Sequence, residues 1–285
     1  MDINGKTRIF AILGNPIAHT LSPAMYNAAF ESLNKNCIYL ALKVEKDRLE
    51  QAVDGLRALG VRGGNVTIPF KEKIIPYLDS ISKEARLIGA VNTLYRDADD
   101  RLCGTNTDGL GFIKALRQKE AETLNMKGAV ILGSGGSARA IAVSLALAGM
   151  KEIILVNRDF GKAHALAATL VQLGANPRCL DWSNPALAEM VRGTPLIINT
   201  TPLGMEPKVE KMPPVETDWF SPNHLVVDLI YKPAETMLLQ EAKKHGAKTM
   251  NGSGMLLEQA LLSFKIFSGS NAPVEVMTHE LERWL

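Results

Sequence analysis

Short apolar runs alternate with amphipathic stretches along the whole chain. Arg8 to Leu13 reads as a strand closed by the turn residues Gly14-Asn15-Pro16. Pro23 then stands where the first turn of a helix begins, with Ser22 as its N-cap, and the helix runs through Met25, Ala29 and Phe30 to about Leu33. Ile38 to Val44 is the next strand, Leu49 to Leu59 a helix stopped by Gly60, and Asn65 to Ile68 a third strand ended by Pro69. This strand–helix–strand rhythm predicts parallel βαβ units.

The pattern sharpens in the second half. An apolar strand at Ala129–Leu132 leads into Gly133-Ser134-Gly135-Gly136 and a helix from about Ser137 to Ala148, closed by Gly149. Glu152–Asn157 is again a strand, and further strands are predicted at Leu196–Asn199, Leu225–Leu229 and around Lys248–Met250. Gly133-Ser134-Gly135-Gly136-Ser137-Ala138 fits G-x-G-x-x-G/A between a strand and a helix, the context a dinucleotide site requires. Gly133 permits the tight turn, Gly135 lets the backbone approach a pyrophosphate, and Ala138 keeps the helix close to the sheet. The anion would rest on the positive end of the helix dipole. The second strand ends in Asn157-Arg158 rather than the acid that holds an NAD ribose, so a 2′-phosphate and hence NADP is expected, with NAD as the other possibility because Asp159 follows. Lys162, one turn on, offsets that carboxylate. Between Met205 and His224 lies a polar segment with Pro207, Pro213, Pro214 and Pro222, either a loop over a cleft or a surface connection.

Composition narrows the class. With 285 residues, 46% hydrophobic and 22% charged, the chain has the make-up of a two-domain globular protein. Lys plus Arg (32) nearly balance Asp plus Glu (30), and no basic run suggests nucleic acid as a partner. Cys37, Cys103 and Cys179 form no CxxC pair, so neither a disulfide framework nor a metal site is expected. Ile9 to Leu13 is too short for the apolar region of a signal peptide, and Ala129 to Met150 carries Arg139 and a glycine cluster, unlike a membrane span. A cytoplasmic protein without membrane partners is expected.

Two polar clusters close apparent strands in the first half: Asn65-Val66-Thr67-Ile68-Pro69-Phe70-Lys71 and Gly104-Thr105-Asn106-Thr107-Asp108-Gly109. A nicotinamide enzyme that interconverts an alcohol and a ketone needs a group to exchange a proton with the substrate oxygen as hydride moves. Lysine serves as an ammonium donor if its pKa lies well below the ~10.4 of an unperturbed side chain. An adjacent carboxylate raises that pKa, so an Asp partner orients the lysine and balances its charge.

Taken together, several motifs resemble one family, the shikimate dehydrogenases with their quinate/shikimate relatives. They are Gly14-Asn15-Pro16-Ile17 with Thr20-Leu21-Ser22-Pro23, Asn65-Val66-Thr67 through Lys71, Gly89 to Thr93, and Thr105-Asn106-Thr107-Asp108-Gly109. The match continues with Gly133 to Ala140, Asn157-Arg158, Asn199 to Met205, Asp228 through Tyr231 to Pro233, and Gly254-Met255 to Gln259. The resemblance implies reversible NADP-linked reduction of 3-dehydroshikimate to shikimate, a step toward the aromatic amino acids. It implies Lys71 and Asp108 as the catalytic pair. Thr20 and Ser22 would hold the substrate carboxylate with Tyr231 nearby, and Thr67, Asn92, Asp108 and Gln259 would bind ring hydroxyls. Thr200, Met205, Gly252 and Met255 would join the glycine turn, Asn157, Arg158 and Lys162 at the cofactor. Two positions depart from the family: Thr20 stands where Ser is common, opening the pocket to quinate, and Asp159 where NADP users often have Thr.

The expected architecture is α/β in two domains. Residues 1–105 with 252–285 form an α/β substrate domain, and residues 106–251 a Rossmann-like nucleotide domain, with a small acid bound in the cleft between them. A monomer or homodimer is expected. A quinate/shikimate dehydrogenase preferring NAD, or a non-catalytic sensor of nucleotide or shikimate, is the alternative.

Overall fold

A computed structural model describes residues 3–120 and 127–285 of the chain. The chain divides into two compact units, one running to Thr107 and resuming over Leu257–Trp284, the other covering Asp108–Leu256.

In the first unit the chain order is β1 (Arg8–Gly14), α1 (Ser22–Ser32), β2 (Cys37–Lys43), α2 (Leu49–Ala58), β3 (Gly63–Val66), β4 (Ser80–Ile81), α3 (Lys83–Ile88), β5 (Thr93–Arg96) and β6 (Leu102–Thr105). The sheet order is β2-β1-β3-β5-β6-β4. The expectation of parallel βαβ units holds for β1 with β2 and β3, but β5 runs antiparallel to both β3 and β6. The cause is local. Asp97-Ala98-Asp99-Asp100 makes a tight turn in which Asp97 Oδ1 accepts the amide of Arg101 at 3.0 Å, and such a turn joins only antiparallel neighbours.

Both faces of this sheet are covered, as the period-2 alternation of β1 requires. Phe10 faces an aromatic cluster with Tyr26 and Phe30 of α1, Tyr39 of β2, and Phe264 and Phe267 of the C-terminal helix α9 (Ser253–Ser268). Ala11 and Leu13 point the other way, into an aliphatic core with Val53, Leu56, Val66, Phe70 and Leu94. The last helix, α10 (Val274–Glu282), packs on α1.

The second unit continues with α4 (Asp108–Lys119), β7 (Gly128–Leu132), α5 (Gly136–Leu147), β8 (Glu152–Val156), α6 (Phe160–Gln172), β9 (Asn176–Leu180) and α7 (Leu187–Gly193). It ends with β10 (Leu196–Asn199), β11 (Leu225–Asp228), α8 (Met237–Lys244), β12 (Lys248–Met250) and the start of α9. The sheet order is β12-β11-β10-β7-β8-β9 and every pairing is parallel. Read from β9, that is the 3-2-1-4-5-6 order of a doubly wound nucleotide-binding sheet. Its central strands are almost wholly buried and mostly aliphatic, as two covered faces demand. Pro177 lies on the edge strand β9, where a missing N–H costs least.

The apolar stretch from Ala129 to Met150 thus spans a strand, a glycine turn and a helix, and no helix among the described residues is long and apolar enough to cross a membrane. The Met205–His224 segment has one short 3-10 turn at Thr217–Trp219 and is anchored by Val215 and Phe220, which are buried in the core of the second unit.

Candidate active site

Thr20 and Ser22 lie between β1 and the first turn of α1. Ser22 is not the N-cap that the sequence suggests. Leu21 occupies that position, Ser22 is already helical, and no side chain caps α1. Instead the Thr20 hydroxyl accepts the Ser22 amide and donates to the Ser22 hydroxyl, both at 3.3 Å. The Met25 amide that a cap at Ser22 would accept goes to Leu21 O at 3.2 Å, and two adjacent hydroxyls are left at one corner, a spacing that suits the two oxygens of a carboxylate.

β3 begins and ends two residues earlier than predicted, at Gly63 and Val66, and Thr67 begins the turn that carries Lys71. The turn is held at both ends: the Thr67 amide donates to Leu13 O (2.9 Å), Phe70 N to Thr67 O (2.9 Å), and Val91 N to Lys71 O (2.7 Å). Phe70, between them, is buried in the core. The last bond sets Lys71 beside the Ala90-Val91-Asn92 backbone.

Asn92 is buried and fully engaged. Its Oδ1 accepts the Thr107 amide at 2.8 Å and the Thr93 hydroxyl at 2.8 Å. Its Nδ2 donates to the Thr107 hydroxyl at 2.9 Å and lies 3.3 Å from Gln259 Oε1. Asn92 and Gln259, 167 residues apart in sequence, therefore present their carboxamides side by side. Asp108 opens α4 in the second unit and is 4% exposed. A carboxylate there is favoured by the helix dipole.

In the second unit Gly133 follows β7 and Thr200 follows β10, the two strands flanking the point where strand order reverses. The Thr200 amide and hydroxyl both donate to Leu132 O, at 2.9 and 2.7 Å. Gly133 has φ +111°, and a Cβ there would meet Thr200 Oγ1 at 2.5 Å, so only glycine fits. Gly135 caps α5 without a side-chain bond, and a Cβ on it would meet nothing within 4 Å. Open space in front of an uncapped helix start is the cradle a pyrophosphate needs. Ser134 is buried in this turn, Gly136 and Ser137 begin the helix, and Ala138, 1% exposed, is the close helix–sheet contact.

At the end of β8 the Asn157 side-chain Nδ2 donates to Asp159 O at 2.9 Å. The Asp159 carboxylate accepts the Lys162 amide at 3.2 Å as the N-cap of α6. That carboxylate is thus engaged at the helix start, while Arg158 and Lys162 are exposed with no side-chain partner among the described residues. The donor set fits a 2′-phosphate. Replacing Arg158 with Ala is expected to weaken NADP binding by roughly 10- to 100-fold and to leave NAD binding within about threefold, as read by quenching titrations with each cofactor.

The remaining predicted residues lie in the segments that follow β10, β11 and β12. Met205 is 41% exposed and ends the turn that starts at Asn199. Tyr231 is half-buried, which pushes its phenol above the usual value. Gly252 donates its amide to Ile230 O at 3.0 Å, and a Cβ there would collide with the Leu229 carbonyl, so close backbone approach accounts for this glycine. Met255 is buried on the first turn of α9.

One residue central to this region has no role in the sequence reading. Asp228, quoted above only as part of a motif, is 0% exposed, and its carboxylate accepts from Asn199 Nδ2 (3.0 Å), Ile230 N (3.0 Å) and the Thr236 hydroxyl (2.7 Å). Asn199 in turn accepts from the amide and hydroxyl of Thr201. Burial pushes the Asp228 carboxyl up to about 6, against the three donors that pull it down. An acid at the end of the apolar run Leu225–Val227 is the signal that marks it.

Known proteins match this chain along its length. The family model for the shikimate dehydrogenase substrate binding domain matches residues 12–94, that for shikimate / quinate 5-dehydrogenase residues 115–191, and that for the shikimate 5′-dehydrogenase C-terminal domain residues 252–282. A shikimate dehydrogenase (NADP(+)) of Desulforamulus reducens is 42% identical over 282 residues, covering 99% of this chain and 97% of the relative. A crystal structure of a shikimate dehydrogenase in complex with NADP+ superposes with TM-score 0.90 at 41% identity, over 99% of this chain and 97% of that one. The Thermus thermophilus enzyme in complex with NADP(H) and shikimate gives TM-score 0.85 at 35% identity, over 98% and 100%. Matched over nearly its full length by such relatives in sequence and in fold, this chain belongs to the shikimate dehydrogenase family.

Proposed function

We propose that this protein catalyses the reversible, NADP-linked reduction of 3-dehydroshikimate to shikimate, a step toward the aromatic amino acids. The observation that carries this reading is the near-full-length likeness to NADP(+) shikimate dehydrogenases in a chain whose second unit has the nucleotide-binding strand order. NADPH supplies the hydride that reduces the substrate carbonyl carbon. Lys71 is assigned the proton: its ammonium donates to the oxygen as negative charge develops there, and the amine takes the proton back in the oxidative direction. Asp108 orients and balances Lys71. Thr20 and Ser22 hold the ring carboxylate, with Tyr231 beside it. Thr67, Asn92 and Gln259 bind ring hydroxyls, a ligand hydroxyl taking the place of the 3.3 Å contact between Asn92 Nδ2 and Gln259 Oε1, so a ligand that lacks it parts the two carboxamides without pairing them.

The glycine turn from Gly133 to Ala138 takes the pyrophosphate, and Asn157, Arg158 and Lys162 take the 2′-phosphate. Asp159, engaged as a cap, supports NADP over NAD. A cytoplasmic enzyme acting as a monomer or homodimer, with no nucleic-acid or membrane partner, completes the reading. Initial rates with shikimate and quinate, each with NADP and NAD, test it. Shikimate with NADP is expected to be the fastest pair by at least about tenfold in kcat/KM, the margin one lost charge-assisted contact gives. A faster quinate–NAD reaction would assign the chain to catabolism instead.

A further inference from the structure

The first unit buries a string of polar side chains in the middle of its sheet. Tyr39 on β2, Asn65 on β3, Thr93 on β5 and Ser263 on α9 are all buried, Thr93 and Ser263 at 0% exposure. A buried polar group is tolerated only when it is paired, so its partners define what it does.

The donors can be ordered. Asn65 Nδ2 lies 3.0 Å from the Asn92 carbonyl, which only accepts, so the amide NH2 points there and the Asn65 oxygen points at Tyr39. The Tyr39 hydroxyl donates to that oxygen at 2.7 Å. Asn65 Nδ2 also donates to Ser263 Oγ at 3.1 Å. Ser263 Oγ is 2.7 Å from Thr93 Oγ1 and 2.9 Å from Thr107 Oγ1. Thr93 sends its proton to Asn92 Oδ1, so it accepts from Ser263. The bonds therefore run one way, from Tyr39 through Asn65, Ser263 and Thr93 to Asn92. Gln259 sits four residues before Ser263 on α9, on the same helical face. The Gln259 carbonyl also accepts from the Thr107 hydroxyl at 3.2 Å.

We propose that Ser263 is a positioning residue for substrate recognition: its hydroxyl, held among Asn65, Thr93 and Thr107, sets the register of α9 against the sheet and so the spacing of the Asn92 and Gln259 carboxamides. This rests on the reading of those two carboxamides as the ring-hydroxyl site. A ring hydroxyl bridging two amides demands both at hydrogen-bond distance, and a shift of a few tenths of an ångström in α9 lengthens one of them. Ser263 touches no substrate in this scheme. It acts through its neighbours.

Ser263→Ala removes one oxygen with little change of volume. The expected result is a KM for shikimate raised roughly 5- to 20-fold, kcat within about threefold, and the KM for NADP unchanged, the pattern of lost ground-state binding at one ligand only. Tyr39→Phe, at the far end of the same string, is expected to act in the same direction by roughly 2- to 5-fold, and it serves as the reading if Ser263→Ala does not fold. Asn92→Ala and Gln259→Ala are measured alongside. If both raise the KM for shikimate at least about tenfold while Ser263→Ala lowers only the melting temperature, the positioning role is overturned and the site reading stands. If neither carboxamide variant moves that KM, the site reading fails and the proposal falls with it.

Discussion

Replacing Lys71 with Ala is expected to lower kcat by roughly 10²- to 10⁴-fold, with the KM for shikimate changing by less than about tenfold. The magnitude is that of losing one positioned proton donor. It is confined to kcat because the other groups assigned to the substrate, Thr20, Ser22, Asn92 and Gln259, are unaltered. Position supports the assignment. The Lys71 backbone is fixed by the bond from Val91 and by the buried Phe70 ring before it, so the side chain starts from a rigid turn and not from a loose surface loop. Lys71→Arg is expected to be about as impaired as the alanine variant, because a guanidinium keeps the charge and does not release its proton at working pH. Steady-state rates in both directions check this. Turnover within about threefold of the unaltered enzyme would remove lysine from the proton transfer. Asp108→Ala combined with Lys71→Ala is expected to cost little more than Lys71→Ala alone, since groups acting as a unit are not additive.

Replacing Asp228 with Ala is expected to destabilise the protein by about 3 kcal/mol or more, because three donors lose a charged acceptor inside a dry core. The Thr236 hydroxyl that loses its acceptor also caps α8 through the Leu239 amide, and Asn199 holds the turn leading to Met205, so both segments loosen together. A second measurement tests the charge itself. The Asp228 carboxyl is raised to about 6 in the folded chain by burial, against ~3.9 unfolded. A raised folded pKa means that the native state binds the proton more tightly. Its stabilising contribution is therefore fully present below pH ~3.9 and is lost as pH rises through about 6, up to roughly 3 kcal/mol. Asp228→Asn has no proton to lose. Urea midpoints measured between pH 4 and 7 should decline relative to that variant in the unaltered protein and then level off. Parallel profiles for the two proteins would show that Asp228 is ionised throughout.

The second unit was legible because its signals are local. An apolar run, a glycine turn and a helix occupy neighbouring residues, and β10 and β12 fall at the predicted positions. The first unit was read less well. β5 and β6 are four residues each, and a strand that short carries too few alternating positions to show a period, so the antiparallel part of the sheet went unseen. The Ser22 cap failed because the helix starts one residue earlier: the Met25 amide goes to Leu21 O at 3.2 Å, which puts Ser22 inside the first turn. Asp159 is a cap that was missed. The sequence reading took its carboxylate as a charge bearing on the 2′-phosphate, yet it caps α6, although an acid three residues before the amide it caps is a local rule.

What the linear chain determined by itself was the order of elements, the nucleotide turn and the residue types available for proton transfer and polyol binding, because each of these depends on groups a few residues apart. The tertiary structure alone decided which polar groups share a site. Asn65 meets Ser263 across 198 residues, Asn92 meets Gln259 across 167, and Asp228 meets Asn199 across 29. No spacing rule encodes such pairs. A hydroxyl or carboxylate becomes structural or functional only when folding removes its water and forces it to find a partner, and that choice is made by packing.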